Sequence, residues 1–254
     1  LSMATMSSSR ACPFSCTFCF HTSGTTYRQR SVGNFFKEIE FLVDTYGVNT
    51  IDLCDELFSV DRSRMRAFAE RAKRLNLKWT CLMRVYPMLD LELLRYLKEC
   101  GLIFMNFGLE STSDAILKSM QKKITSEQIK KALQVAHEAR VNFGGNFLFG
   151  DPEETVGTAM ETVQWWASHP ELNTNLGIGT RIITYPGTDV YTRAVAKGLI
   201  HNEVKFLEEG CPVINIAPRM DEGDYKYLLF KLYLYKRSPR YVALGSCVAS
   251  KVTG

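Results

Sequence analysis

The chain predicts an α/β fold built on a parallel sheet, and three observations carry that expectation. Short apolar, β-prone runs alternate with longer helical patterns up to about residue 200. The alternation gives six strand–helix units, and that repeated order implies parallel strands joined by right-handed crossovers. Polar and glycine-containing clusters fall where the carboxyl ends of those strands are expected, which is where such sheets carry their sites. The repeat alone fits either a doubly wound sheet or an incomplete barrel.

Strand Ser2 to Ser7 feeds a loop containing three cysteines. Helix Asn34 to Tyr46 follows, with Phe35, Phe36, Ile39, Leu42 and Val43 at helical spacing and Gly47 as its stop. Strand Thr50 to Cys54 leads into Asp55-Glu56, and Asp61 is placed to cap helix Arg62 to Leu75. Strand Lys78 to Arg84 precedes a turn at Pro87 and helix Leu91 to Cys100, which Gly101 ends. Strand Ile103 to Gly108 runs into Glu110-Ser111, then a helix from Ser113 and another from Ser126 to Arg140. Strand Asn142 to Phe149 ends at Gly150-Asp-Pro-Glu-Glu154, and Thr155 begins a helix through Trp166. Strand Leu176 to Thr184 meets the turn Tyr185-Pro-Gly-Thr188, and a further helix reaches Lys197. Beyond about His201 the pattern changes. Residues 201–219 carry prolines and a glycine, and Asp221 to Lys236 reads as a helix rich in Tyr, Leu, Phe and Lys. Its aromatic side is expected to pack on the preceding domain. Residues 1–200 thus read as a core domain and 201–254 as a partly helical extension.

A chain of 254 residues is long enough for one barrel-like domain or two small ones. The net charge of +4 is mild and gives no strong nucleic-acid signal. The basic run Arg62, Arg64, Arg66, Arg71, Lys73 and Arg74 reads as the solvated face of an outer helix. No apolar run reaches the length of a membrane span, and no signal peptide is visible. The eight cysteines lack a disulfide-framework spacing, which points to a reducing compartment and a cytoplasmic protein. Cys54, Cys81, Cys100, Cys211 and Cys247 stand singly and read as buried small hydrophobes. His137 and His169 read as surface or helix-end residues. The chain begins at Leu1 with its cysteine loop close behind, which reads as a piece of a longer protein.

The remaining three cysteines, Cys12, Cys16 and Cys19, lie in Arg10-Ala-Cys-Pro-Phe-Ser-Cys-Thr-Phe-Cys-Phe-His21. At this cysteine content, a triplet at fixed offsets arises by chance in about one chain in a hundred. Three thiolates can hold a four-iron cluster and leave one iron open, which is the logic of a catalytic metal. Two other readings stand beside it. His21 could complete a zinc site of three cysteines and one histidine, making the chain a zinc-stabilised binding module. Cys16-Thr-Phe-Cys19 could be a redox pair, although that leaves Cys12 without a role.

The C-x3-C-x2-C spacing, with Phe18 before the last cysteine, resembles the signature of the radical SAM superfamily. Further resemblances follow in family order. Asp55-Glu56-Leu-Phe58 resembles the acidic form of the strand-end motif that binds the methionine amino group in the cobalamin-associated branch. Gly108-Leu-Glu110-Ser111 is similar to the Gly-x-Glu-Ser motif of that branch. Asn146-Phe-Leu-Phe-Gly150-Asp-Pro-Glu153 resembles the Gly-x-Ile-x-Gly-x-x-Glu element that lies along adenine, with Asn146 and Leu148 departing from it. The resemblance spans about residues 3–200 and implies a partial (β/α)6, TIM-like barrel with a short C-terminal helical extension. It implies a [4Fe–4S] cluster on Cys12, Cys16 and Cys19, and S-adenosylmethionine held by Asp55, Glu56, Arg84, Glu110, Ser111, Gly150, Glu153 and Phe18. It further implies reductive cleavage of S-adenosylmethionine to a 5′-deoxyadenosyl radical, with an electron donor such as flavodoxin or ferredoxin. Cobalamin through an upstream domain, with methyl transfer or ring rearrangement, is the branch's option; the chain has no cobalamin-ligating motif. A cobalamin-free enzyme and a relative of methylthiotransferases are the alternatives. Simpler structural readings exist for several of these residues: Asp55-Glu56 or Ser111 and Ser113 as helix caps, and Arg84 in a surface salt bridge.

Overall fold

A computed structural model describes residues 2–85 and 89–237 of the chain. The turn expected at Pro87 and the burial expected of Cys247 lie outside the described residues. The elements in chain order are β1 (Met3–Met6), β2 (Ser9–Arg10), β3 (Arg28–Gln29), α1 (Val32–Tyr46), β4 (Thr50–Leu53), α2 (Arg62–Arg74), β5 (Lys78–Met83), α3 (Leu91–Glu99) and β6 (Leu102–Glu110). They continue with α4 (Asp114–Ser119), α5 (Ser126–Glu138), β7 (Phe143–Phe149), α6 (Val156–Ser168), β8 (Leu176–Arg181), α7 (Asp189–Ala196), α8 (Glu203–Glu208) and α9 (Glu222–Arg237).

The main sheet has six strands in the order β1-β4-β5-β6-β7-β8. β1 pairs with β4, β4 with β5 and β5 with β6, all parallel. Neighbours follow chain order apart from the inserted β2–β3 ladder, as expected of consecutive right-handed strand–helix crossovers. Two features escaped the sequence reading: that antiparallel ladder flanking the cysteine loop, and the short helix α8.

Local chemistry sets the helix boundaries. Ser31 accepts the Asn34 amide to start α1, and Gly47 at φ 64° ends it in the left-handed conformation. Asp61 caps α2 and Asp90 caps α3, each accepting backbone amides. Thr155 and Thr158 bond reciprocally at the start of α6. Gly101 is required twice over. Its φ is +97°, and a Cβ there would meet the Leu77 carbonyl oxygen at 2.1 Å.

The chain forms two compact units. Residues 1–15, 21–109 and 127–145 make the first. Its core is an aromatic group of Phe35, Phe36, Phe58, Phe68 and Trp79, with ring centroids 5.2–6.2 Å apart. All five are essentially fully buried, each contributing about 2–3 kcal/mol of burial free energy. Residues 16–20, 110–126 and 146–254 make the second unit. There Ile116, Met120, Ile182, Val190, Tyr191, Ile200 and Phe206 pack together, with Phe18 against them.

Three expectations need correction. Arg64 in the basic run of α2 is buried, not solvated, because it donates to the Ser8 carbonyl and hydroxyl at 3.0 and 2.8 Å. Cys54 is exposed at the end of β4, whereas Cys81 and Cys100 are buried as expected. On α9 only Tyr225, Leu228 and Leu232 are buried; Tyr227, Phe230 and Tyr233 stand exposed. Their threefold spacing puts them on a face that α6, the helix packed against α9, does not cover.

Candidate active site

The cysteine loop opens on a strained residue. Ala11 is fully buried at φ 64°, a conformation that non-glycine residues adopt only when their surroundings enforce it. Further along, the Thr17 amide donates to the Met120 carbonyl at 3.1 Å, and its carbonyl accepts from the Val190 amide at 3.1 Å. These two bonds tie the Cys16–Phe20 segment to the end of α4 and the start of α7. Cys16 is buried, and the Cys19 amide turns back onto the Cys16 carbonyl at 3.2 Å. A hydrogen bond with Cys16, then burial, pushes the Cys19 thiol up. Among the described residues, no three His, Cys, Asp or Glu side chains already stand grouped as a metal-ion site.

At the end of β4, the two neighbouring acids behave differently. Asp55 is 2% exposed. Its Oδ1 accepts the Ser8 and Ser9 amides at 2.6 and 2.9 Å, and its Oδ2 accepts the Ser8 hydroxyl at 2.5 Å. It braces the strand leading to the cysteine loop and caps no helix. Glu56 is half-buried. Its Oε2 meets His21 Nδ1 at 3.3 Å, and its buried Oε1 has no hydrogen-bond partner. His21, a zinc ligand in one reading of the sequence, is thus engaged by Glu56. Arg84 is buried at the end of β5, with its guanidinium 3.7 Å over the Phe14 ring and its amide donating to the Ser59 hydroxyl. That position is not a surface salt bridge.

Glu110 closes β6 at φ 67° and is 7% exposed. Its Oε1 accepts from Lys122 Nζ at 2.7 Å, and each side chain of this pair is 9% exposed. Burial draws the Lys122 ammonium down, but Glu110 and the Cys16 and Cys19 sulfurs outweigh it and hold the ammonium charged. Lys122 Nζ also lies 5.8 Å over the Phe18 ring. Ser111 has a local role: its hydroxyl accepts the Ser113 amide at 3.0 Å and meets the Thr162 hydroxyl at 3.3 Å. Ser113 occupies the N-cap of α4 without a side-chain cap bond.

At the end of β7, Gly150 has φ +100°, and a Cβ there would meet only Tyr225 Oη at 3.3 Å and the Ile182 amide at 3.9 Å. The adjacent acids diverge again. Glu153 is exposed and 3.6 Å from Arg219, while Glu154 is fully buried and accepts the Gly150 amide. Burial pushes the Glu154 carboxyl up to about 8, and burial also raises Asp151. Glu154 Oε1, Asp151 Oδ2 and Tyr225 Oη are buried without hydrogen-bond partners.

Sequence reasoning missed Lys122 and Glu154. Lys122 stands beside Lys123, and nothing in Gln-Lys-Lys-Ile marks which lysine turns inward. Glu154 was passed over for Glu153, which sits in register with the motif.

Residues 6–165 match the model of a family described as the radical SAM superfamily. The chain is 30% identical over 196 residues to an uncharacterized methyltransferase of Pyrococcus horikoshii, covering 76% of this chain and 42% of that protein. It is 32% identical over 170 residues to the anaerobic magnesium-protoporphyrin IX monomethyl ester cyclase of Cereibacter sphaeroides, covering 64% and 28%. In fold it resembles the radical S-adenosylmethionine methyltransferase TsrM from Kitasatospora setae, solved with cobalamin and a [4Fe–4S] cluster. That likeness has a TM-score of 0.65 at 19% identity, over 76% of this chain and 37% of that one. The chain therefore spans less than half the length of each of these relatives. The six-stranded parallel sheet is the partial TIM-like barrel of such enzymes, not a doubly wound sheet. With its cysteine spacing, its sheet and a family match over more than half its length, the chain belongs to the radical SAM superfamily.

Proposed function

We propose that this chain is the S-adenosylmethionine-cleaving core of a larger radical enzyme, in which Cys12, Cys16 and Cys19 hold a [4Fe–4S] cluster. The observation that carries the reading is the buried Glu110–Lys122 pair, whose cation is felt at both Cys16 and Cys19. A fixed positive charge suits an anionic thiolate cluster, and soft sulfur ligands suit iron. The residues present fit the two cofactors in other respects. Glu56 offers a buried oxygen lacking a partner, as an ammonium-binding carboxylate should. Gly150 makes the turn after β7 at φ +100°, and Phe18 offers an aromatic edge.

When bound, the cluster and S-adenosylmethionine supply a one-electron cleavage that yields a 5′-deoxyadenosyl radical for hydrogen abstraction. The protein's own residues do the positioning. Glu56 receives the amino group, Glu110 a ribose hydroxyl, and Arg84 the carboxylate by paired N–H donation. Lys122 pairs with Glu110 and holds it turned inward. Asp55 fixes the path of the chain into the cysteine loop. Ser111 holds the start of α4. The Gly150-to-Glu154 turn lines the adenine.

For the whole protein, the reading is methyl transfer, with cobalamin brought by a domain outside this chain. The names of the Pyrococcus relative and of TsrM support it. The cyclase relative favours ring closure as the second reading. A flavodoxin or ferredoxin would deliver the electron, in the reducing cytoplasm. No helix among the described residues is long and apolar enough to cross a membrane.

Anaerobically prepared protein should be brown and hold about four irons per chain. With dithionite it should release 5′-deoxyadenosine from S-adenosylmethionine. Alanine at Cys12, Cys16 or Cys19 should abolish both. Colourless protein holding one zinc would overturn the assignment.

A further inference from the structure

The β2–β3 ladder carries a feature that the cofactor chemistry does not use. A cavity of about 380 Å³ is lined by Ser7, Ser8, Ser9, Arg10, Arg28, Gln29 and Arg30. That size suits a small-molecule group rather than a single water.

Its charge is unusual for a two-residue ladder. Arg10 and Arg28 are direct cross-strand partners, an arrangement of like charges that destabilises a strand pair unless something intervenes. Arg28 donates to the Thr26 and Ser23 carbonyls, which fix its guanidinium without neutralising it. Arg10 has no ion pair among the described residues. Arg30 is different: Glu38, at 2.5 Å, balances its charge. The other nearby carboxylate, Asp55, lies behind the wall with its oxygens turned to Ser8 and Ser9, and Arg64 bonds to the same Ser8. Two positive charges therefore remain facing one cavity.

Behind the wall the Ser7 and Ser8 hydroxyls are engaged, and the buried Ser9 hydroxyl lies beside Tyr27 on the face opposite Arg10. Arg64, 7% exposed just behind Ser8, keeps one buried guanidinium nitrogen without a partner. Buried polar groups are ordinarily satisfied, and exceptions call for a missing partner. An acceptor-rich anion would serve the paired guanidinium groups together.

We propose that this cavity is a binding site for a phosphate-class oxyanion, carried on a small molecule and held by Arg10 and Arg28. Planar guanidinium groups suit phosphate oxygens through paired N–H donation. The site is separate from the residues assigned to the cluster and to S-adenosylmethionine, so it stands whether or not that assignment does.

The test is calorimetric titration of the anaerobically prepared chain with inorganic phosphate and with pyrophosphate, at constant ionic strength held with potassium chloride. Saturable binding of either anion is expected. Arg28→Gln and Arg10→Gln should each weaken it about tenfold. Arg74→Gln, which removes an exposed arginine paired with Glu70 elsewhere, should leave affinity unchanged. Iron content and circular dichroism report whether each variant folds, and the two pocket variants give independent readings if one does not. Tighter binding of pyrophosphate would indicate a diphosphate-bearing ligand, and equal binding a single phosphate group; both support the site. No saturable binding by the wild-type chain would overturn the proposal. So would affinities that match between Arg28→Gln, Arg10→Gln and Arg74→Gln.

Discussion

Two pairs of adjacent acids, Asp55-Glu56 after β4 and Glu153-Glu154 after β7, look alike in the sequence and are built oppositely. In the first pair the leading acid is interior and the second half-buried; in the second pair the leading acid is exposed and the second interior. The interior members also differ. Asp55 accepts three hydrogen bonds from Ser8 and Ser9, one on Oδ2 and two on Oδ1. Glu154 meets only backbone amides, at Gly150 and Asp151, and keeps a bare oxygen, so burial dominates and its carboxyl holds a proton to about pH 8. An acid buried with an oxygen left bare is the one that holds its proton.

The sharpest way to break this comparison is at Asp55. Asp55→Ala leaves two backbone amides and the Ser8 hydroxyl without their acceptor in a buried place. It should lower stability by about 3–4 kcal/mol, read from the denaturant midpoint at unchanged slope. Asp55→Asn keeps an acceptor and should recover part of that loss. If Asp55→Ala is nearly neutral, the three bonds do not anchor the loop and the contrast with Glu154 fails.

The next effect is pH-dependent and of opposite character. The Glu154 carboxyl lies above its unfolded value, so the fold binds its proton more tightly than the unfolded chain does. Its contribution is full below about pH 4.5 and is lost as pH rises through about 8. The wild-type melting temperature should therefore fall between about pH 5 and pH 8 and level off above that. Glu154→Gln, which cannot ionise, should flatten that fall and be more stable than wild type at pH 9.5 by ~2 kcal/mol. Parallel wild-type and Glu154→Gln profiles would show that Glu154 ionises freely in the fold.

Alternating apolar periodicity was enough to locate the six strands and most helices, because each carries its own cap or stop. Ser31, Asp61 and Thr155 start helices where short-range hydrogen bonds alone determine the boundary. The β2–β3 ladder was not legible, since two-residue strands have no periodicity and depend on a pairing across the whole cysteine loop. The same limit hid Arg64, whose burial follows from an acceptor at Ser8 far away in sequence. At the site, residue types at strand ends were legible, but their partners were not. Lys122 reaches Glu110 only because α4 turns at Met120, with Gln121 and Lys123 both at positive φ. No local pattern states which of two adjacent lysines that geometry buries.

The smallest expected effect concerns Glu153, and it decides how far a motif position can be trusted. Glu153 occupies the acidic place in the adenine-binding element, yet its side chain is 61% exposed and its ion partner Arg219 is 63% exposed. Solvent screens such a pair, and its loss should change stability by less than about 0.5 kcal/mol. Its backbone amide still donates to Asp151 at 2.9 Å, a bond that side-chain replacement leaves intact. Glu153→Gln should therefore melt within a degree or so of wild type and bind S-adenosylmethionine with unchanged affinity in an equilibrium assay. An affinity loss of about tenfold, with stability unaltered, would place Glu153 in the cofactor site despite its exposure. It would then be the motif register, not side-chain burial, that identifies the functional acid after β7.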